Sequence, residues 1–298
     1  MARVGTLALQ GPAGEPVDFR RLLASHGVAT LAPNRIDEES WVLETTVELD
    51  GGAHVLRLVQ GEPGLAEVQA LTVLRSATGK RDALEVARRL LRLDEDLSGF
   101  YTRAAKDRGL AWVTAGAGRM LRSPTVFEDV VKTICTTNCS WSATVRMTDA
   151  IVTELGLAAP DGRHAFPTPS AMAEAPAAFY TDTARAGYRG AYLRQLATDV
   201  AEERLDLESL ADPELPDLEV EQRLLALPGV GPYAAAHVML TSLGRYGRLI
   251  LDSWTRPKYA RLTGRTAADA TIQRRFRRYG QYAGLAFWMM LTRDWVDD

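Results

Sequence analysis

Leu224-Leu225-Ala226-Leu227-Pro228-Gly229-Val230-Gly231-Pro232-Tyr233-Ala234-Ala235-Ala236 reads as one helix running into another across a very short turn. The first helix ends at Leu227, and Pro228-Gly229-Val230-Gly231 turns the chain sharply into the second. Gly229 and Gly231 permit backbone dihedrals and a close approach that a side chain would forbid. The unpaired N–H groups at the start of the second helix point outward with the positive end of its dipole, so they can hold a phosphate without any lysine.

Downstream, Leu249-Ile250-Leu251-Asp252-Ser253-Trp254 sets a carboxylate directly after an apolar run. Asp252 suits the N-cap of the following helix, an ordinary aspartate role. The same carboxylate, partly desolvated at the edge of an apolar wall, can act strongly on a nearby developing positive charge. The two roles are compatible.

Around this centre the chain from about Pro124 onward is helical. Ser123 before Pro124 marks a helix start. Apolar spacing predicts helices over Val126–Cys139, Ala143–Leu155, Ala171–Tyr180, Tyr192–Glu203, Glu219–Ala226, Tyr233–Leu243, Ser253–Leu262, Ala267–Tyr279 and Tyr282–Thr292. The first third differs. Trp41–Leu49 alternates apolar and polar residues, Asp50-Gly51-Gly52 supplies turn chemistry, and His54–Gln60 and Glu67–Leu74 follow as strands. Helical patterns at Asp18–His26 and Asp82–Leu93 flank them. The fold class expected is an α+β antiparallel sheet domain over residues 1–117, then a mainly α-helical domain over 118–298.

Composition excludes more than it selects. The 298 residues contain no apolar run long enough to span a bilayer, and the N-terminus lacks a secretory pattern. Two cysteines, Cys135 and Cys139, are too few for a disulfide framework or a four-thiolate cluster, so a reducing, cytoplasmic setting is expected. The net charge of −3 does not advertise a nucleic-acid partner. Local clusters matter more than the mean, and Arg274, Arg275, Arg277 and Arg278 sit together, where a solvated helix face is the plainer explanation.

With the hairpin and Asp252 at their centre, residues 118–295 resemble the helix-hairpin-helix (HhH-GPD) DNA glycosylases. Gly118-Arg119-Met120-Leu121-Arg122, Ile134-Cys135-Thr136-Thr137-Asn138 and Gly187-Tyr188-Arg189 are similar to segments of 8-oxoguanine DNA glycosylase. Tyr282-Ala283-Gly284-Leu285-Ala286-Phe287-Trp288 has counterparts there and in bacterial 3-methyladenine DNA glycosylase II. The resemblance implies a monomer that binds damaged double-stranded DNA and flips the lesion out of the helix. Asn138 and Tyr188 would fill the gap or press on the opposite strand, and Arg189 would contact the orphaned base. Gly229, Val230 and Gly231 would bind phosphate, and the backbone carbonyls of Leu225, Leu227 and Val230 would hold a monovalent cation, Na+ or K+. Asp252 would stabilise an oxocarbenium-like sugar and orient water. No cofactor is required.

Departures from the family pattern narrow the reading. Bifunctional members carry a nucleophilic lysine where this chain has Tyr233, which implies a monofunctional enzyme using water. The four C-terminal cysteines of iron–sulfur members have no counterpart here. Phe287 stands where 8-oxoguanine enzymes read the base edge with glutamine, and Trp288 matches a pocket tryptophan of the 3-methyladenine group. Tyr233, His237, Phe287 and Trp288 are therefore expected to form an aromatic pocket for cationic alkylated purines. Trp288 on an apolar helix also suits plain core, and His237 either lines the pocket or packs behind it. An 8-oxoguanine-type glycosylase without lyase activity and a non-catalytic DNA-binding module are the alternatives.

Overall fold

The structure, a computed structural model, describes residues 2–296. Five strands, β1 (Ala2–Ala8), β2 (Arg35–Asp37), β3 (Val42–Leu49), β4 (Gly52–Gln60) and β5 (Leu65–Ala70), form one antiparallel sheet in the order β1-β5-β4-β3-β2. Asp50 (φ 53°) and Gly51 (φ 73°) make the β3–β4 turn, the two-residue connection whose twist matches the strands it joins. Along β5, Ala66, Val68 and Ala70 are buried while Leu65, Glu67 and Gln69 are only half-buried, so one face of the sheet turns to the core.

Twelve α-helices occur among the described residues: α1 Phe19–Leu23, α2 Ala77–Leu90, α3 Ser98–Ala104, α4 Val126–Thr136, α5 Trp141–Leu155, α6 Pro169–Glu174, α7 Arg189–Ala201, α8 Asp217–Leu225, α9 Pro232–Thr241, α10 Thr255–Thr263, α11 Asp269–Phe276 and α12 Ala283–Thr292. The α+β sheet portion followed by a helical portion is thus present. Several boundaries differ from the sequence expectation. Thr125, not Ser123, caps α4, its hydroxyl accepting from the Glu128 amide at 3.2 Å. That helix stops at Thr136, and Asn138 takes a left-handed φ of 47°. The single helix expected over Ala171–Tyr180 is broken at Pro176, with a separate helical turn at Phe179–Thr183.

Among the described residues, three large apolar clusters and a small one around Val55 and Ala165 organise the fold. The sheet packs α2 through Ala83, Ala87 and Leu90 against strand residues such as Leu43, Leu58 and Val68. A second cluster joins α4, α5, α7 and α8, and a third joins α3, residues 110–120, α11 and α12. Helix α9 is shared by the last two: Ala234, Ala235, Val238 and Met239 face one, Ala236 and Leu240 the other. A helix buried on all sides must be apolar all round, which accounts for its sequence. Its first turn therefore lies at the seam between two helical bodies, and Tyr233 packs against both.

Buried charge ties the sheet to the helices. Arg119 donates to Glu15 at 2.6 Å and to the carbonyls of Arg92 and Glu95. Arg92, 1 % exposed, bonds the Met120 carbonyl and the Thr241 and Ser242 carbonyls at the end of α9. A cation there meets the negative end of the helix and satisfies carbonyls that have no partner within it. Gly244 makes room, since a Cβ at that position would lie 2.7 Å from the Arg92 guanidinium.

Candidate active site

Pro232 opens α9 at a position where a missing N–H costs nothing, and Gly231 stands at its N-cap with no side-chain cap. The first return bond runs from the Ala235 amide to the Gly231 carbonyl at 2.9 Å, so the amides before it are directed out of the helix start. Gly229 has φ +78°, and a Cβ there would lie 2.8 Å from Tyr192 Cδ2. Gly231 differs: its φ is −98°, and a Cβ would meet nothing within 4 Å. Its backbone thus tolerates a side chain, contrary to the sequence expectation that both glycines are conformationally required. What it offers is an open approach to the helix start.

Asp252 lies across a cleft of about 580 Å³ that also contains Asn138, Tyr188, Gly229, Gly231 and Tyr233. One carboxylate oxygen, Oδ1, accepts from the Trp254 amide at 2.9 Å and the Thr255 amide at 2.7 Å. The Thr255 hydroxyl in turn accepts from the Asp252 amide at 2.8 Å. This reciprocal cap fixes the carboxylate at the head of α10. Among the described residues no group donates to Oδ2, so the cap leaves one oxygen for the cleft. Tyr233 sits opposite, its hydroxyl 3.3 Å from Thr136 Oγ1. Burial raises its phenol above the usual range, and the nearby Asp252 charge adds to this, so the ring stays neutral. No lysine lines the cleft among the described residues, and Lys132 is buried against Glu128 at 2.6 Å.

The other expected site residues stand around this cleft rather than in it. Arg189 is 6 % exposed, and its Nε donates to the Thr137 carbonyl at 2.9 Å while its guanidinium covers Tyr188 at 4.6 Å. Val230 is buried behind the hairpin. His237 is buried one turn below Tyr233, with ring centroids 5.9 Å apart, and touches His26 edge-on at 5.9 Å. Burial lowers its pKa to about 3, so it supports Tyr233 as a neutral ring. Phe287 is fully buried between Tyr259 and Phe276 and does not wall the cleft as expected. Neighbours on a helix diverge by about 100°, so Phe287 and Trp288 cannot share one face. Trp288, 6 % exposed, donates its indole N–H to the Ser25 carbonyl at 2.8 Å.

Sequence reasoning missed two aromatic partners of Trp288. Trp254 and Trp295, each 36 % exposed, lie 5.7 Å and 5.9 Å from it and 5.5 Å from each other. Trp254 was visible in the sequence two positions after Asp252. The Arg274–Arg278 run is partly committed elsewhere: Arg275 donates to the Tyr259 hydroxyl at 3.1 Å, and Arg278 is paired with Asp107.

Within the turn, whose Leu225, Leu227 and Val230 carbonyls are the expected cation ligands, the Leu227 carbonyl accepts from the Val230 amide at 3.2 Å. Neutral oxygens without a carboxylate suit a hard monovalent cation rather than a transition metal. No group of three or more His, Cys, Asp or Glu able to hold a metal occurs among the described residues.

No family model and no curated protein sequence matches the chain. Solved structures match it nearly end to end. A 3-methyladenine DNA glycosylase from Archaeoglobus fulgidus is 20% identical over 97% of this chain and 98% of that one, with a TM-score of 0.71. MBOgg1 in complex with a low-affinity DNA ligand is 18% identical over 97% and 95%, with a TM-score of 0.73. The fold is that of the helix-hairpin-helix DNA glycosylases. The 8-oxoguanine glycosylase/lyase of Clostridium acetobutylicum in its apo form is 18% identical over 93% of both chains, with a TM-score of 0.70. Glycosylases of both substrate types are thus similar to this fold to almost the same degree. No helix among the described residues is long and apolar enough to cross a membrane.

Proposed function

We propose that this chain is a monofunctional DNA glycosylase that hydrolyses the N-glycosidic bond of alkylated purines in double-stranded DNA. The observation that carries the reading is the divided carboxylate of Asp252: Oδ1 is held by two amides, and Oδ2 has no donor in a cleft shared with the hairpin and Tyr188. The start of α9 binds a backbone phosphate through main-chain amides, which explains how a chain of net charge −3 can engage DNA. The carbonyls of Leu225, Leu227 and Val230 would hold a monovalent cation, whose charge would add to the attraction for that phosphate. Asn138 and Tyr188 enter the gap left when the nucleotide flips out, and Arg189 turns toward the orphaned base.

In the reaction the C1′–N bond breaks, its electron pair leaves with the base, and positive charge develops on the sugar. Asp252 Oδ2 stabilises that charge and orients a water, whose oxygen bonds to C1′ while its proton passes to Oδ2 and on to solvent. A base already positively charged leaves as a neutral molecule and needs little acid catalysis. The rings near Asp252 favour such bases: Tyr233 faces the cleft, and Trp254 is backed by Trp288. Each good cation–ring contact contributes about 0.5–2 kcal/mol.

The test is a time course on duplexes that each carry one defined lesion, with the released base quantified. Release of 3-methyladenine and 7-methylguanine should outpace that of 8-oxoguanine, and Trp288→Ala should slow cationic bases more than hypoxanthine. Faster release of 8-oxoguanine would overturn the substrate assignment and favour an oxidised-base glycosylase without lyase activity.

A further inference from the structure

Helix α7 begins without a side-chain cap, and it is entered through Gly187 at φ +58°. Tyr188 stands at this start, 54 % exposed, with the Arg189 guanidinium over its ring, so packing by its neighbours sets its direction. Tyr192 lies one turn further on the same face. Its ring is 5.9 Å from that of Tyr188 at 72°, and its other side covers Gly229, where any Cβ would come within 2.8 Å. Tyr188 in turn accepts from the Asn138 amide nitrogen at 3.2 Å. An unbroken line of contacts therefore runs from the hairpin through Tyr192 and Tyr188 to Asn138. No partner bonds the Tyr192 hydroxyl among the described residues, so the flat ring, not the oxygen, is the working part.

We propose that Tyr192 is a positioning residue that fixes the Tyr188–Asn138 wedge against the phosphate-binding hairpin. Engagement of a backbone phosphate at Gly229–Gly231 then sets how deeply the wedge enters the base stack. The inference rests on the DNA glycosylase reading. Flipping costs a few kcal/mol, about what a well-placed wedge must offset.

The experiment compares wild-type full-length protein with Tyr192→Leu, Tyr192→Phe, Tyr188→Ala and the Tyr192→Leu/Tyr188→Ala pair. Binding to undamaged duplex is read by fluorescence anisotropy, base extrusion by stopped-flow 2-aminopurine fluorescence beside a methylated purine, and excision under single turnover. Tyr192→Leu should bind undamaged duplex within about twofold of wild type yet extrude and excise roughly tenfold more slowly. Tyr192→Phe should restore wild-type rates. Because Tyr192 acts through Tyr188, the pair should lose little more than Tyr188→Ala alone. Additive losses, or a binding defect with an unchanged extrusion rate, would overturn the proposal. Hydrogen exchange without DNA tests the linkage separately: Tyr192→Leu should speed exchange at Gly187–Gly190, and unchanged exchange there would refute it. A wild-type protein that excises no lesion while this exchange effect is present would sink the glycosylase reading and leave the mechanical linkage standing.

Discussion

Lowering the pH from 7 to 5 should destabilise this protein through two histidines that the fold keeps neutral. His26 and His237 are both buried, with ring centroids 5.9 Å apart in an edge-on contact. Burial lowers His26 to about 4, although its bond to the Leu121 carbonyl at 2.7 Å acts the other way. Burial, with a smaller contribution from His26, lowers His237 to about 3. Below pH 6.5 the unfolded chain binds protons on both rings, while the folded chain refuses them down to about pH 4 and pH 3. Stability is therefore full above pH 6.5 and falls as pH drops through this window. At pH 5 the difference is 2.303RT times 1.5 pH units, about 2 kcal/mol for each ring and about 4 kcal/mol together. That lowers the thermal midpoint on the order of 8 °C. Urea or thermal unfolding at pH 7 and pH 5 measures it, with His237→Phe as comparator. The variant should lose about half the pH dependence whatever its absolute stability. Equal slopes in wild type and variant, or equal wild-type stability at the two pH values, would refute the argument.

Asp252→Asn should fold normally, because asparagine caps a helix about as well as aspartate, and should bind damaged duplex while losing roughly 10²–10³ in excision rate. Near-normal excision by purified Asp252→Asn would remove the carboxylate from the chemistry. Gly229→Ala should lower stability by about 1–3 kcal/mol, from backbone strain and collision with Tyr192, whereas Gly231→Ala should unfold like wild type and lose only DNA affinity. Equal destabilisation of the two in urea titrations would contradict the backbone geometry. Borohydride added during turnover should trap no covalent protein–DNA adduct, and the product should be an intact abasic site, since Tyr233 offers no amine. A trapped band on a denaturing gel would show that an amine of this chain attacks the sugar.

The β3–β4 hairpin was legible because Asp50-Gly51 carries the turn between two runs rich in β-branched and aliphatic residues. The edge strands were not. β2 has three residues, and β1, though seven residues long, is irregular between Arg3 and Gly5 and mostly exposed, so neither displays a period. Helix α2 begins at Ala77, five residues before the expected Asp82, because Ser76 caps it through the Gly79 amide at 2.7 Å, while Thr78-Gly79 reads locally as a loop. Seven-residue α3 is too short to show a helical period. Within the candidate site, Gly229 was readable because its left-handed backbone favours glycine, and Asp252 because a carboxylate suits the head of a helix, whereas Gly231 carries no such backbone demand. The pocket was only half readable. Which of two adjacent aromatic residues turns inward depends on helix rotation, which tertiary packing fixed in favour of burying Phe287 between Tyr259 and Phe276.

Arg92 bears on cooperativity. Its guanidinium, carried two residues past the end of α2, completes the hydrogen bonding of Thr241 and Ser242 at the far end of the very helix that presents Tyr233. A shortened chain lacking the sheet would leave those carbonyls bare and α9 free to fray toward the cleft. Loss of order in the sheet portion is therefore transmitted to the helix that carries Tyr233, and the two portions should unfold together in one transition.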